Sequence, residues 1–382
     1  MSIEFAVLLI FAVSLSISLV LLLGYPIFIH LLSRLRPVPV RKRRDCMPRL
    51  SIVVPCYNEV EHVEGKVREL LQLEYPDGLV QLVFIDSGST DGTAQVLGRF
   101  ASSGSITLIE QQERRGKCSA INEALQFSSG EVIVLTDADA RVQPGAIKEI
   151  VANFADSTVG AVVGDIYITG RSFVGAMNEA FYRLFRQKLR EWESALDSAS
   201  FLSGETLAVR RNLIDSLNAD TISDDLEILF TVRKKGYRCI VEPNAQTFET
   251  DVETVLGQIS HKRRTFAGTL QAFSRHRDAF LKRHLGLFGM MIAPMYALRI
   301  LVAPFLLLLA QASFLAMIAL YPALLALLAG AFIAFIALYT SSKTRPFALS
   351  ILYGFIVQAA IVLGLYDYIT GHYRVLWAKK GR

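Results

Sequence analysis

Leu50-Ser51-Ile52-Val53-Val54-Pro55-Cys56-Tyr57-Asn58-Glu59 decides the fold: a short apolar run, interrupted only by Ser51, ends at a proline and gives way at once to polar residues. A run of that length reads as a buried strand, and the amphipathic stretch Val60 to Leu73 after it reads as a helix. The rhythm repeats, with Val80 to Ile85 before Thr93 to Phe100, and Glu131 to Thr136 before Pro144 to Phe154. Alternation of this kind predicts an α/β domain with a mostly parallel sheet. In such sheets ligands bind beyond the carboxyl ends of the strands, so the polar residues there are the candidates for chemistry. These are Pro55-Cys56-Tyr57-Asn58-Glu59, Asp86-Ser87-Gly88-Ser89-Thr90-Asp91-Gly92-Thr93 and Asp137-Ala138-Asp139-Ala140.

Outward from this core the chain turns apolar. Of 382 residues, 52% are hydrophobic and 20% charged, and the mean hydropathy is +0.38. Phe5 to Ser33 holds no Asp, Glu, Lys or Arg. At about 1.5 Å per residue that run crosses a hydrocarbon core of about 30 Å. Residues 1–33 are therefore read as a membrane helix rather than a cleaved signal, because the positive cluster Arg34, Arg36, Arg41, Lys42, Arg43 and Arg44 follows the run instead of preceding it. The positive-inside rule then puts the N-terminus outside and residues 45–251 in the cytosol, and the plasma membrane is the expected location. Residues 286–382 read as a C-terminal membrane region of about three spans. Ile300 to Ser342 is uncharged but broken at Tyr321-Pro322, and Pro346 to Tyr366 forms a last run. The side of the C-terminus stays open: Lys343 and Arg345 ask for the cytosolic side, as do Lys379, Lys380 and Arg382, and Leu287 to Leu298 either joins a span or lies flat.

Four scattered cysteines, Cys46, Cys56, Cys118 and Cys239, suggest neither a disulfide frame nor a zinc site. A net charge of +5 with juxtamembrane clusters fits membrane lipids, not nucleic acid.

Asp137 and Asp139 stand two apart, so in extended backbone both carboxylates project to one side and can share a hard cation such as Mg²⁺ or Mn²⁺. A turn with two solvated acids has the same spacing. Gly116-Lys117 opens a helical stretch to Phe127, where free N–H groups favour phosphate. It is no Walker loop, since Gln111 and Cys118 occupy that motif's glycine and hydroxyl positions. Asp224 with Glu227 resembles a helix cap, which leaves Asp225 free to act as a base on a hydroxyl. Residues 252–285 carry His261-Lys262-Arg263-Arg264, then Arg275, Arg277, Lys282 and Arg283 among Phe266, Leu270, Phe273, Phe280 and Leu281. The distal half suits an amphipathic helix on an anionic leaflet, and the proximal half suits forked hydrogen bonds to a diphosphate.

Together and in this order, from Ser51 to about Gln271, these segments resemble the family-2 inverting glycosyltransferases of the GT-A fold, in their cellulose-synthase-like membrane branch. The resemblance implies a nucleotide-sugar donor, often UDP-linked, held by Pro55, Tyr57, Glu59, Asp86, Lys117, Asp137, Lys262, Arg263 and Arg264. It implies that Asp139, with Asp137, binds Mg²⁺ or Mn²⁺, that Asp225 is the catalytic base, and that Ser203, Gly204 and Glu205 meet the acceptor. Two departures stand out. Where processive members carry Gln-x-x-Arg-Trp, this chain reads His261-Lys262-Arg263-Arg264-Thr265, and an expected aspartate is Ser87.

The expected function is transfer of a sugar to a lipid or lipid-linked glycan, as in cell-envelope or polysaccharide biosynthesis. A processive polysaccharide synthase would share the same active site. A non-catalytic membrane scaffold would have no use for so many clustered carboxylates, and a transporter is disfavoured because only Arg299 interrupts the apolar runs.

Overall fold

The computed structural model describes residues 2–76, 78–169, 172–250 and 252–372. One eight-stranded sheet organises the central domain, in the order β3-β2-β1-β4-β7-β6-β8-β5. Its strands are β1 (Leu50–Cys56), β2 (Val80–Asp86), β3 (Thr107–Glu110), β4 (Val132–Thr136), β5 (Arg141–Val142), β6 (Val159–Thr169), β7 (Thr206–Arg210) and β8 (Arg238–Thr250). The first four strands in that order run parallel, β7 is antiparallel to both β4 and β6, β6 and β8 are parallel, and β5 closes antiparallel on β8.

Helices cover both faces: α3 (Val60–Leu71), α4 (Thr93–Ser102), α5 (Lys117–Phe127), α6 (Ala146–Val151), α7 (Phe173–Tyr182), α8 (Lys188–Leu196), α9 (Asp224–Lys234) and α10 (Val255–Arg275). Leu50, Ile52 and Val54 pack with Val63, Val67 and Leu97 on one face. On the other, Val53, Val83 and Ile85 meet Ile121, Ala124 and Leu125. Burial on both faces is why the strand segments read as unbroken apolar runs instead of alternating ones. Gly130 is required where the chain enters β4, because a Cβ there would lie 2.3 Å from the Ser51 nitrogen.

Among the described residues, four helices are long and apolar enough to cross a membrane: Ile3–Leu35, Phe288–Leu320, Pro322–Thr340 and Arg345–Thr370. The first comprises α1 (Ile3–Leu19), a π-helical turn and α2 (Tyr25–Leu35); the second includes α11 (Ala293–Leu301) and α12 (Ala303–Leu320); the others contain α13 (Leu325–Thr340) and α14 (Arg345–Thr370). Residues 288–298 thus continue into the second long helix, and Phe288, Ile292 and Tyr296 are buried against the domain. Lys379, Lys380 and Arg382 lie outside the described residues.

Two seams bind these helices to the domain. Tyr25 and Ile29 of α2 pack on Leu189 and Leu196 of α8, and the Tyr25 hydroxyl donates to Glu193 at 2.8 Å. On the other side α14 packs along α10: Gly364 lets the Arg263 carbonyl and the Phe266 ring approach to what would be 2.7 and 3.0 Å from a Cβ, and Arg263 forms a two-pronged ion pair with Asp367. The amphipathic reading of 252–285 changes accordingly. Phe266 and Phe273 turn inward and are buried, leaving Leu281 as the exposed apolar residue of the distal half.

Candidate active site

The site forms where β1 and β4 end. Beyond β1, Asn58 adopts a left-handed conformation (φ 55°) that suits its short amide. Its N–H donates to Ser89 Oγ at 2.9 Å and its Oδ1 accepts from the Thr90 N–H at 2.9 Å. The Glu59 N–H donates to Thr93 Oγ1, and Asp91 accepts from the N–H groups of Val60 and Thr93. These bonds fasten the loops after β1 and β2 into one wall carrying Pro55, Tyr57 and Glu59, with the Arg114 guanidinium 3.8 Å above the Tyr57 ring.

A cavity of about 740 Å³ opens beside this wall. It brings together Pro55, Tyr57, Glu59, Lys117, Asp137, Asp139, Ser203, Gly204, Glu205, Asp225, Lys262, Arg263 and Arg264, which is every sequence-derived candidate except Asp86. Asp86 is buried at the end of β2, where one oxygen accepts from the Ser89 N–H at 3.0 Å and the other has no partner among the described residues. Ser87, at the departure noted above, donates its hydroxyl to Gln111 in the core.

Gly116 (φ 96°) delivers the chain into α5 with a backbone few other residues adopt, and Lys117 follows as the first helical residue. Its Nζ lies 2.8 Å from Asp137 Oδ1 and 3.2 Å from Asp224 Oδ2. Burial works against that charge, but the two carboxylates outweigh it and hold the amine protonated well above the ordinary lysine range. Gly204 packs close by, since a Cβ there would sit 3.3 Å from Lys117 Nζ. Asp224 is therefore not a helix cap. Ser223 makes no capping bond, and Glu227 pairs with His276 at 3.0 Å and accepts from Asn218. An acidic residue in a first helical turn satisfies either role, and here the facing lysine decides between them.

Asp225 stands beside it with a different environment. Burial first, and then the adjacent Asp224 charge, push its carboxyl up to about 7. The Leu226 N–H, which donates to Asp225 Oδ1 at 2.9 Å, opposes this, as do Lys117 and Arg186. A carboxylate with that affinity for a proton is matched to general-base work near neutral pH.

Among the described residues no three His, Cys, Asp or Glu side chains gather into a complete metal-ligand set. Asp137 and Asp139 nevertheless offer two carboxylates to one cavity. That is the protein share expected for Mg²⁺ or Mn²⁺ when a diphosphate and water supply the remaining oxygens. Arg264 reaches into the same cavity from α10 with its Nε buried and without an acceptor among the described residues, and burial lowers its proton affinity despite Asp224, Asp137 and Asp225. A buried guanidinium N–H of this kind could donate to a diphosphate oxygen.

Several lining residues carry no signal in the sequence. Asp367 and His372 come from the end of α14, and Asn178, Tyr182, Arg186 and Phe201 from the segments around α7 and α8. Only Phe201, two residues before Ser203, adjoins a candidate motif.

Comparison with known proteins agrees with this fold. Residues 51–217 match the glycosyl transferase family 2 profile. A β-monoglucosyldiacylglycerol synthase of Trichormus variabilis is 29% identical over 261 residues, covering 64% of this chain and 54% of its own. A poly-β-1,6-N-acetyl-D-glucosamine synthase of Staphylococcus aureus is 25% identical over 218 residues, covering 56% and 52%. The chain thus spans about half the length of the curated relatives it matches. Among solved structures, the Pyrobaculum calidifontis mannosyltransferase PcManGT, in complex with GDP-Man and Mn²⁺, is 27% identical and superposes with a TM-score of 0.75 over 94% of this chain and 99% of its own. The profile, the relatives and the sheet agree: the domain has the GT-A fold, and residues 51–217 are similar to glycosyl transferase family 2.

Proposed function

We propose that the protein is an integral membrane, inverting glycosyltransferase that moves a sugar from a nucleotide-sugar donor to a lipid or lipid-linked glycan. One observation carries this reading: Asp137, Asp139, Asp225 and Arg264 line a single cavity whose rim includes the end of the last long apolar helix. The domain would face the cytosol, with the Arg34 to Arg44 cluster against the inner leaflet.

In this reading Tyr57 and Pro55 flank the nucleotide, and the spare oxygen of Asp86 suits an N–H of its base. Arg264 grips the diphosphate, while Lys117 holds Asp137 and Asp224 apart and fixed. Asp137 and Asp139 would hold Mg²⁺ or Mn²⁺, which supplies Lewis-acid stabilisation of charge on the departing nucleoside diphosphate. Asp225 takes the proton of the acceptor hydroxyl as that oxygen attacks the anomeric carbon. The bond from the anomeric carbon to the diphosphate breaks on the opposite face, so configuration inverts. UDP- and GDP-linked donors both belong in the test, because the mannosyltransferase neighbour holds GDP-Man.

The deciding experiment incubates the purified full-length protein with a panel of radiolabelled nucleotide sugars, membrane lipid extract and Mn²⁺. Label in the organic phase supports transfer to lipid. A ladder or high-mass polymer instead would favour a processive synthase, and no transfer from any donor would refute the enzymatic reading.

A further inference from the structure

Arg186 is a cavity cation outside the donor-binding segments, and the mechanism above gives it no role. It sits on a π-helical turn, Arg183–Gln187, between α7 and α8, a distortion that often marks functional positions. Its guanidinium stacks 4.1 Å from the Phe201 ring, which Arg190 approaches from 4.8 Å. Arg190 is fully buried, donates to Ser203 Oγ at 3.2 Å and to the Tyr182 hydroxyl at 2.5 Å, and has no acceptor at Nε. Among the described residues neither arginine has a carboxylate within ion-pair distance, Asp225 included. Two positive charges thus share one aromatic ring, with Asp225 and Asp165 near enough to feel them but not in ion-pair contact, and an anion bound in direct contact would be favourable there.

The location identifies the source of that anion. α7 packs on α14, and α8 packs on α2, so this segment lies between the domain and the long apolar helices. Phe173 and Leu184 are exposed on it beside Arg183 and Lys188, which are exposed and paired with Glu179 and Glu191, a mix of apolar and charged groups suited to lipid headgroup depth.

Resting on the proposed transfer to lipid, we infer that Arg186, backed by Arg190, forms a subsite for the phosphate of an anionic lipid acceptor in the cavity that holds Asp225. A forked guanidinium stacked on an aromatic ring is suited to that group.

The test measures binding by the full-length protein in an uncharged detergent, using oleoyl lysophosphatidate, monoolein and inorganic phosphate as probes. Lysophosphatidate is expected to bind about tenfold more tightly than monoolein, equivalent to about 1.4 kcal/mol, and inorganic phosphate alone to leave the melting temperature unchanged. Arg186→Gln should erase the preference while Arg186→Lys retains part of it. Arg183→Gln, an exposed neighbour, should retain all of it. Donor-nucleotide binding by Arg186→Gln verifies that the variant is folded. Equal affinity for the two lipids, an unchanged preference in Arg186→Gln, equal loss in Arg183→Gln, or an equal effect of inorganic phosphate would each overturn the inference. Absence of sugar transfer to any lipid, with Arg186-dependent lysophosphatidate binding intact, would instead sink the functional reading.

Discussion

Asp225→Asn is expected to separate three properties at once: it should abolish transfer, preserve donor binding and stabilise the protein above neutral pH. The reasoning begins with the cost of the charge. The carboxyl is raised from an ordinary 3.8 to about 7, chiefly by burial and by Asp224. Since the folded state holds this proton more tightly than the unfolded state, stability falls as pH rises from about 4 to about 7. At about 1.4 kcal/mol per unit, holding the ionised form at pH 8 costs up to about 4 kcal/mol. Water in the open cavity and the sharing of charge with Asp224 reduce this to about 2 kcal/mol. Asparagine does not titrate. Its protein should therefore melt about 5 °C above the parent at pH 8 and within about 1 °C of it at pH 4.5, in metal-free buffer with detergent held constant. Transfer should drop by about 10² to 10⁴, as for loss of a general base, with calorimetric donor affinity within about twofold. A melting difference independent of pH, or normal transfer by the asparagine protein, would refute the assignment.

Other expectations concern the neighbouring groups. Asp139→Ala should reduce Mn²⁺-dependent donor affinity by about a hundredfold, and EDTA should reduce the parent to the same level; isothermal titration with and without metal reads both. Lys117→Met removes the cation between Asp137 and Asp224 and should cost about 2 kcal/mol of stability, a discounted value because these side chains keep some solvent contact; thermal melts measure it. Arg264→Ala should weaken binding of the nucleoside diphosphate by about tenfold, whereas Arg263→Ala should act on stability through Asp367. A double-mutant cycle of Arg263→Ala with Asp367→Asn should then be non-additive, and additivity would return Arg263 to the donor site.

Why some of this was legible and some was not follows from how each residue is used. β1, β2 and β4 are buried on both faces, so their β-branched runs announce themselves. β7 is five residues long and takes its place only through antiparallel pairing with β4 and β6, a tertiary fact that local composition does not encode. The candidates found after strands converge because the parallel half of the sheet forces every strand end to one edge. Asp224 was misread as a cap because an acid three residues before Glu227 has one appearance in sequence and two possible partners in space. Arg186 falls among Arg183, Lys188 and Arg190 in a run that reads as an ordinary basic surface. Asp367 reads as the polar end of a span, since nothing near it in the chain points to Arg263.

The contact between α10 and α14 joins the two halves of the protein's chemistry. Arg264 on α10 lines the cavity with the carboxylates, while the adjacent Arg263 is held by Asp367, and Gln258, earlier on the same helix, accepts from the buried Tyr353 hydroxyl at 2.6 Å. Gly364 removes the side chain that would otherwise hold the helices apart. The helix that carries the diphosphate-facing arginine is thus fixed along its length to the last apolar helix, on the opposite side from the α2 and α8 seam. With α14 in a bilayer, its tilt would move Arg264 relative to Asp137 and Asp139, whose positions are set by β4 and the sheet. Under the proposed function, donor affinity should therefore respond to membrane packing through the Arg263–Asp367 pair, and Arg263→Ala should weaken that response.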